Sequence, residues 1–223
     1  MRALTAIALV LLTSPPAVAA PKTATSSERH LIYLHGAIVQ REQSSRPRHP
    51  EFGFYEFDEI LHQLRQRGFV VHGDIRPREQ TIDEAADRVV AQVRELIAGG
   101  IPADRVLVVG ASMGAEIALR ASARLAKPEL HFALLGICLP ESARRLSAQG
   151  GGQPSGKLLV VREASDETTT PCPALKEGGG SALSPAVREI VLDTGLRHGF
   201  LFRPLPAWVT PVTDWAKDSR PAS

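Results

Sequence analysis

The sequence predicts an α/β fold with a mainly parallel, doubly wound sheet of about six strands and helices on both of its faces. Two observations lead to this fold class. Strand-like and helix-like segments alternate along the chain, and the connections between them are short. The helical segments also carry apolar residues on one face, as helices that cover a sheet do.

The first unit is a β-α-β arrangement. Residues 30–34 and 69–75 are predicted to be strands, and residues 55–67 a helix. Phe57, Ile60 and Leu64 have helical spacing, and Gly68 follows as a natural C-terminal stop.

The remaining elements follow in the same order. Thr81 and Glu84 form a capping box that begins the next helix. The final helix is expected between residues 205 and 217, and Pro211 predicts that it starts late or bends. Trp208 and Trp215 lie seven positions apart, so they are expected to dock this helix onto the sheet. The further strands are predicted at residues 105–109, 132–138, 157–161 and 187–192.

The chain is predicted to be one exported domain. Residues 1–20 are typical of a signal peptide, with Arg2 before an apolar stretch and a small-residue cleavage site at residues 17–20. A flexible segment is expected at 21–29, a single domain at 30–217 without a large lid, and a disordered tail at 218–223. The mature chain is therefore expected in a periplasm or outside the cell.

Composition excludes several classes of protein. The formal net charge is +2 and acids and bases are interspersed, so neither nucleic acid nor an anionic membrane is an expected partner. No apolar stretch is long enough for a membrane span. The cysteine and histidine spacing does not indicate a metal site, and no organic cofactor is expected. The oligomeric state stays open.

The chain has two cysteines, Cys138 and Cys172. In an exported protein such a pair most simply forms a disulfide. Two unpaired buried thiols are the alternative, since bonding requires a short Cα separation.

Residues 110–114 have the pattern G-x-S-x-G, with Ser112 at the centre. An apolar run at 106–109 precedes them, and a helix-prone stretch at 115–120 follows. This is the context of a nucleophile elbow, in which a serine lies on a sharp turn from a strand to a helix.

A serine nucleophile requires a base and a group that orients the base. Asp166 and His198 follow Ser112 in that order, each after a predicted strand. Glu163 and Glu167 compete with Asp166 for the role of the acid, and Asp193 is a further candidate. For His198 the alternative is an ordinary surface or core histidine, but its position after the last strand favours the role of the base.

An oxyanion would need two backbone donors. The amide of Met113 is one candidate, and the amide of Ala37 is the other, because Gly36 allows the turn after the first strand to present it. His35 and Gly36 are predicted to border the substrate pocket.

The connection at residues 40–53 shows no periodicity and follows the first strand, so Phe52 is expected in the pocket wall. Arg76, with Arg46 and Arg48, could bind a substrate carboxylate. The alternative, which we favour for the arginines, is that they remain solvated.

Together these residues resemble the α/β-hydrolase superfamily, and more closely its compact dienelactone-hydrolase-like and small esterase or thioesterase members. The resemblance covers nearly the whole mature chain. It implies a minimal form of the fold and a serine hydrolase that acts on a small-molecule ester, thioester or related acyl substrate. A different class of function stays open, a catalytically silent protein for binding or envelope assembly, in which the 40–53 connection covers Ser112.

Overall fold

The computed structural model describes residues 27–169, 171–173 and 187–218. The predicted signal peptide, residues 21–26 of the predicted flexible segment and residues 219–223 of the predicted tail lie outside the described residues.

A parallel sheet of six strands forms the centre of the fold, in the order β4-β1-β5-β6-β7-β8. Each neighbouring pair in this sheet is parallel. The predicted α/β class with about six strands is therefore confirmed. The strands are β1 (His30–Leu34), β4 (Val70–His72), β5 (Val106–Ala111), β6 (His131–Leu135), β7 (Lys157–Glu163) and β8 (Val187–Leu192), and a separate antiparallel hairpin comprises β2 (Arg48–His49) and β3 (Gly53–Phe54).

Helices cover both faces of the sheet, so its parallel strands are buried on both sides. The helices are α1 (Ala37–Glu42), α2 (Phe57–Gln66), α3 (Ile82–Ala98), α4 (Met113–Leu125), α5 (Leu139–Ala148) and α6 (Pro206–Lys217). Leu31 and Tyr33 point into a core shared with α1, α2 and α6. Ile32 and Leu34 point into the opposite core, which α3, α4 and α5 cover. The sheet is thus doubly wound.

Several helical predictions agree with the structure. Thr81 accepts a hydrogen bond from the Glu84 amide, and the Glu84 carboxylate accepts one from the Thr81 amide, which completes the predicted capping box of α3. Trp208 of α6 is almost fully buried. Trp215 packs against His131 with ring centroids 5.0 Å apart. Pro211 lies inside α6, which begins at Pro206, so of the two expected effects of Pro211 the late start is wrong and the bend stays a prediction.

The structure also corrects two boundaries. The strand predicted at 132–138 ends at Leu135, because Gly136 has a φ of +71° and turns the chain. The predicted strand at 69–75 is shorter and comprises only Val70–His72. The apolar residues after Leu135 were predicted as more strand, and α5 was therefore not predicted.

The 40–53 connection shows no periodicity in the sequence, but it is regular in part of its length. It contains the end of α1 and the β2–β3 hairpin. Phe52 packs against Phe202 with ring centroids 5.4 Å apart, which fixes the hairpin to the 3-10 helix Arg197–Phe202.

Cys138 and Cys172 form a disulfide with a Cα–Cα distance of 5.6 Å. Cys138 precedes α5 and Cys172 lies beyond β7, so the bond joins two segments at the carboxyl end of the sheet. In the part of the chain that the structure describes, no helix is both long and apolar enough to cross a membrane.

Candidate active site

Ser112 lies at the turn between β5 and α4 with φ 53° and ψ −116°. A positive φ is uncommon for a residue with a Cβ, and such a conformation costs about 1–3 kcal/mol, so the surrounding structure must impose it. The Ser112 amide donates a hydrogen bond to the Leu135 carbonyl at 2.8 Å, which ties the turn to the end of β6. The side chain therefore projects from the carboxyl edge of the sheet.

The two glycines of the elbow allow the backbone to pack closely. A Cβ on Gly110 would lie 2.2 Å from the Gly114 carbonyl oxygen, and a Cβ on Gly114 would lie 2.0 Å from the Leu34 carbonyl oxygen. Neither distance is compatible with a side chain. The small residues of the G-x-S-x-G pattern are thus required by contact between α4, β5 and the end of β1.

His198 lies between Ser112 and Asp166 and contacts both. Its Nε2 is 3.0 Å from Ser112 Oγ, and its Nδ1 is 2.7 Å from Asp166 Oδ2. The ring belongs to the 3-10 helix, whose Phe200 and Phe202 are buried in the core below. Because Asp166 is acceptor-only when charged, the proton resides on Nδ1 and leaves Nε2 free to accept the Ser112 hydroxyl.

Asp166 is fully buried, and Thr168 holds its second oxygen. The Thr168 hydroxyl and amide donate to Asp166 Oδ1 at 2.7 and 3.0 Å. Burial by itself would raise the pKa of Asp166, but the hydrogen bonds from His198 and Thr168 outweigh it and hold this pKa below its usual value. The carboxylate is therefore charged and its orientation is fixed.

The competing acids lie elsewhere. Glu163 is buried, but it accepts hydrogen bonds from Ser165, Thr194 and Gly195 rather than from His198. Glu167 forms an exposed ion pair with Arg197. Asp193 is exposed. Of the four candidates, only Asp166 contacts the histidine ring.

The two predicted oxyanion donors are the first residues of helices. Met113 begins α4 and Ala37 begins α1, so neither amide has an intrahelical acceptor. A Cβ built on Gly36 would lie 3.7 Å from the Ser112 Cβ, which places the start of α1 beside Ser112. The two turns therefore meet at Ser112.

His35 is a buried support of this turn. Its Nδ1 lies 2.9 Å from the Gly36 carbonyl oxygen, and its Nε2 accepts the Arg76 amide at 3.1 Å. Burial, together with the charge of Arg76, lowers the pKa of His35 to about 3. The ring is thus neutral, with its proton on Nδ1.

Arg76 does not reach the cavity at Ser112. The guanidinium donates to the His35 carbonyl at 2.6 Å and to Gln40 Oε1 at 3.1 Å, and it is buried under the turn. Burial lowers the pKa of Arg76 to about 10, which still leaves it charged at neutral pH. Its predicted alternatives, a solvated side chain or a carboxylate anchor, are both wrong.

A cavity of about 290 Å³ opens beside Ser112. Its lining includes Met113, Gly136 and Ile137 near the nucleophile and a polar wall on α4 and α5. The predicted pocket residues His35, Gly36, Phe52 and Arg76 are not part of this lining. His35 and Arg76 support the β1–α1 turn to which Gly36 belongs, and Phe52 packs behind Gly199. Nor does the 40–53 connection cover Ser112.

The α5 residues of the polar wall and Thr168 were not predicted from the sequence. The wall consists of Glu116, Glu141, Ser142 and Arg145. Glu141 and Arg145 are four residues apart, and Pro140 stands in the first turn of α5, so helical spacing and a helix-start signal were present. Within the described ranges, no group of three or more His, Cys, Asp or Glu side chains could hold a metal ion.

Comparison with solved structures shows the α/β-hydrolase fold. One of two fungal esterases from Rhizomucor miehei superimposes with a TM-score of 0.56 at 15% identity, over 89% of this chain and 77% of that chain. A putative α/β hydrolase from Agrobacterium tumefaciens gives a TM-score of 0.55 at 15% identity, over 89% of this chain and 88% of that chain. SOBER1 from Arabidopsis thaliana gives 0.53 at 15% identity, over 86% and 98%. No protein-family model and no curated protein sequence matches the chain.

Proposed function

We propose that the protein is a serine hydrolase that cleaves a small ester, thioester or related acyl substrate through a covalent acyl-enzyme on Ser112. The observation that carries the proposal is the continuous hydrogen-bonded path from Ser112 through His198 to Asp166. Several proteins with the same fold are esterases by name, which supports this reaction type.

In the proposed acylation step, His198 Nε2 accepts the Ser112 proton as Oγ attacks the substrate carbonyl carbon. The charged Asp166 stabilises the imidazolium that forms. The negative oxygen of the tetrahedral intermediate would accept hydrogen bonds from the Met113 and Ala37 amides. The intermediate then collapses, and His198 donates its proton to the leaving alcohol or thiol.

Deacylation reverses these roles. His198 takes a proton from water, the water oxygen attacks the acyl carbonyl, and the proton returns to Ser112 as the acid departs. The partly exposed position of Ser112 in an open cavity supports access of water to the acyl-enzyme. None of these steps uses a metal or an organic cofactor.

The protein is further proposed to be exported. The support is the charge, apolar run and small residues of positions 1–20, together with a disulfide that suits an oxidising compartment. Mass measurement of the mature protein from the expressing cells tests this proposal. Cleavage near residue 20 is expected, and a cytoplasmic protein that retains Met1 would contradict it.

Turnover of short p-nitrophenyl esters and thioesters tests the reaction. The Ser112→Ala variant should fold normally but lose at least about 10³-fold in kcat, since removal of a triad nucleophile eliminates the covalent route. Ser147→Ala is the matched control, because Ser147 is an exposed residue near the end of α5 whose hydroxyl accepts a hydrogen bond from Gln153. Equal turnover in the Ser112→Ala variant and the unaltered enzyme would overturn the proposed function.

A further inference from the structure

The cavity beside Ser112 has an unusually polar wall for a site that would accept alkyl esters. Glu116 Oε1 accepts hydrogen bonds from the Ser142 hydroxyl at 2.6 Å and from Arg145 Nη2 at 2.7 Å. Arg145 also pairs with Glu141, one turn earlier on α5. An alkyl chain placed against this wall would remove these groups from water without replacing their hydrogen bonds, which is costly.

The wall still has donors and acceptors to offer. A guanidinium carries five N–H donors. Those of Arg145 bond Glu141, Glu116 and Ser142, which leaves donors available on a side chain that is 45% exposed. Glu141 is 56% exposed, and its carboxylate can accept hydroxyl protons from a ligand. A neutral hydroxyl group can use both kinds of partner at once.

Charge further narrows the choice of ligand. Two carboxylates, Glu116 and Glu141, face the cavity together with a single guanidinium, Arg145. Glu116 also pairs with Arg120, and Arg145 pairs with both carboxylates, so an anionic group would find no unpaired guanidinium at this wall. A neutral group with hydroxyls needs no unpaired charge and can still bond to the wall.

We propose that the substrate is an ester of a neutral polyhydroxylated alcohol, such as an acetylated polyol or sugar, whose hydroxyl groups bind Glu141 and Arg145. Ser112 and His198 both line this cavity, so the departing alcohol, whose oxygen receives the proton of His198, lies within reach of its polar wall. This inference rests on the proposed function, which supplies the acyl transfer: Ser112 takes the acyl group, the alcohol departs with a proton, and water releases the acid.

The test compares two acetates of similar size, glycerol 1-acetate and n-propyl acetate. For each ester, kcat/KM is divided by the rate constant of its hydroxide-catalysed hydrolysis. This corrects for the different intrinsic reactivity of the two esters. The enzyme should favour the glycerol ester about tenfold or more, since each added hydrogen bond contributes about 1 kcal/mol. Glu141→Gln and Arg145→Met should each reduce this preference severalfold, and Arg94→Met, a change on an exposed part of α3, should not.

The outcomes separate this inference from the proposed function. A fluorophosphonate that labels Ser112 rapidly in an enzyme with no preference for the glycerol ester overturns the substrate class alone. A preference that persists in both variants also overturns it. Failure to label Ser112 and to turn over either ester overturns the substrate class and the proposed function together.

A second inference comes from Glu163, the buried carboxylate at the end of β7. One of its oxygens accepts the Ser165 hydroxyl at 3.0 Å and the Gly195 amide at 3.2 Å. The other accepts the Thr194 hydroxyl at 2.7 Å and the Thr194 amide at 3.0 Å. Ser165 precedes Asp166, and Thr194 and Gly195 lead to His198, so one carboxylate holds both turns.

Further bonds make this junction continuous. The Arg197 amide donates to the Ser165 hydroxyl at 3.2 Å, and the Ala164 amide donates to the Leu192 carbonyl at 2.8 Å. Burial would raise the pKa of Glu163, but hydrogen bonds from Thr194 and Ser165 outweigh it and hold this pKa below its usual value. The group that joins the turns is thus a charged acceptor.

We infer that Glu163 is a positioning residue that sets the distance between Asp166 and His198. Glu163→Gln keeps the shape and one carbonyl acceptor, whereas Glu163→Ala removes both acceptors. The expected result is a kcat about tenfold lower for Glu163→Gln and about 100-fold lower for Glu163→Ala, with KM unchanged in both, because the substrate cavity is untouched. Partial rescue by glutamine is the signature of positioning.

Glu167→Gln is the matched control, since Glu167 is exposed and forms its ion pair with Arg197. It should keep the full rate. Two results would overturn the inference: a folded Glu163→Ala variant with normal kcat, or, where that variant does not fold, a folded Glu163→Gln variant with normal kcat. An increase in KM at constant kcat would also contradict it.

Discussion

Two regions of the carboxyl edge are built in different ways. The nucleophile half, comprising the turns after β1 and β5, is held at the β5 turn by backbone contact, with Gly110 and Gly114 packed where no Cβ fits, while His35 and Arg76 support the β1 turn. The acid–histidine half, comprising the turns after β7 and β8, is held by side chains, above all Glu163 and Thr168. Backbone contact tolerates almost no substitution, whereas a side-chain network can lose one member and keep its fold.

This difference also decides what a sequence reveals. Close backbone approach requires glycine at fixed spacing, which leaves a recognisable pattern. A hydrogen-bonded network can be assembled from many polar residues at many positions, so it leaves no comparable pattern. The nucleophile half is thus predictable from local sequence, and the acid–histidine half is predictable only in chain order.

The largest expected effect lies in the acid–histidine half. Asp166→Asn should fold normally, since the amide fills the same space, but kcat should fall about 10³- to 10⁴-fold because the amide favours the wrong tautomer of His198. Steady-state turnover of a p-nitrophenyl ester measures the loss. Asp193→Asn is the control. A loss of kcat of similar size in that variant would show that Asp166 had been wrongly identified as the acid.

In the nucleophile half, a substitution should lower the stability of the fold instead. Gly114→Ala places a Cβ against the Leu34 carbonyl and should lower the free energy of unfolding by more than about 3 kcal/mol. Gly36→Ala is the matched comparison, because its Cβ would have only ordinary contacts of 3.7 Å and longer. Urea denaturation distinguishes them. If both variants were equally stable, the contrast between the two halves would not hold.

The disulfide offers a smaller test of the acid–histidine half. Replacing Cys138 and Cys172 by alanine opens a covalent loop between residues 34 positions apart and should cost about 2–4 kcal/mol of stability. Thr168 lies four positions before Cys172, so fluorophosphonate labelling of Ser112 should also slow. Reduced unaltered protein should behave in the same way as the double variant. Unchanged thermal stability in the double variant would contradict the expected stabilisation by the disulfide.

The smallest effect concerns acid pH. Burial lowers the pKa of His131 to about 4 and, with the charge of Arg76, that of His35 to about 3. Both rings charge more readily in the unfolded chain, so stability is full above about pH 6.5 and falls as the pH drops towards these values. Each histidine contributes up to about 1.4 kcal/mol per pH unit. Urea denaturation at pH 7 and pH 5 should show a smaller loss of unfolding free energy for His131→Phe than for the unaltered protein.

Particular residues show where sequence reasoning succeeded and where it failed. The elbow, the capping box at Thr81 and the strands at residues 30–34 and 187–192 were predictable, because their signals lie within a few neighbouring residues. Arg76 was misplaced because its partners, His35 and Gln40, are distant in sequence. The start of α5 was hidden by an apolar run through Ile137, and only the turn at Gly136 separates it from β6.

The central claim is that Ser112 is activated by His198. Fluorophosphonate labelling of the purified mature protein, with mass spectrometry of its peptides, tests it most directly. The account predicts one adduct, on Ser112, formed at least about 10³-fold more slowly in His198→Ala, whose fold should persist. An adduct on another residue, or labelling of Ser112 at the same rate without His198, would contradict the account.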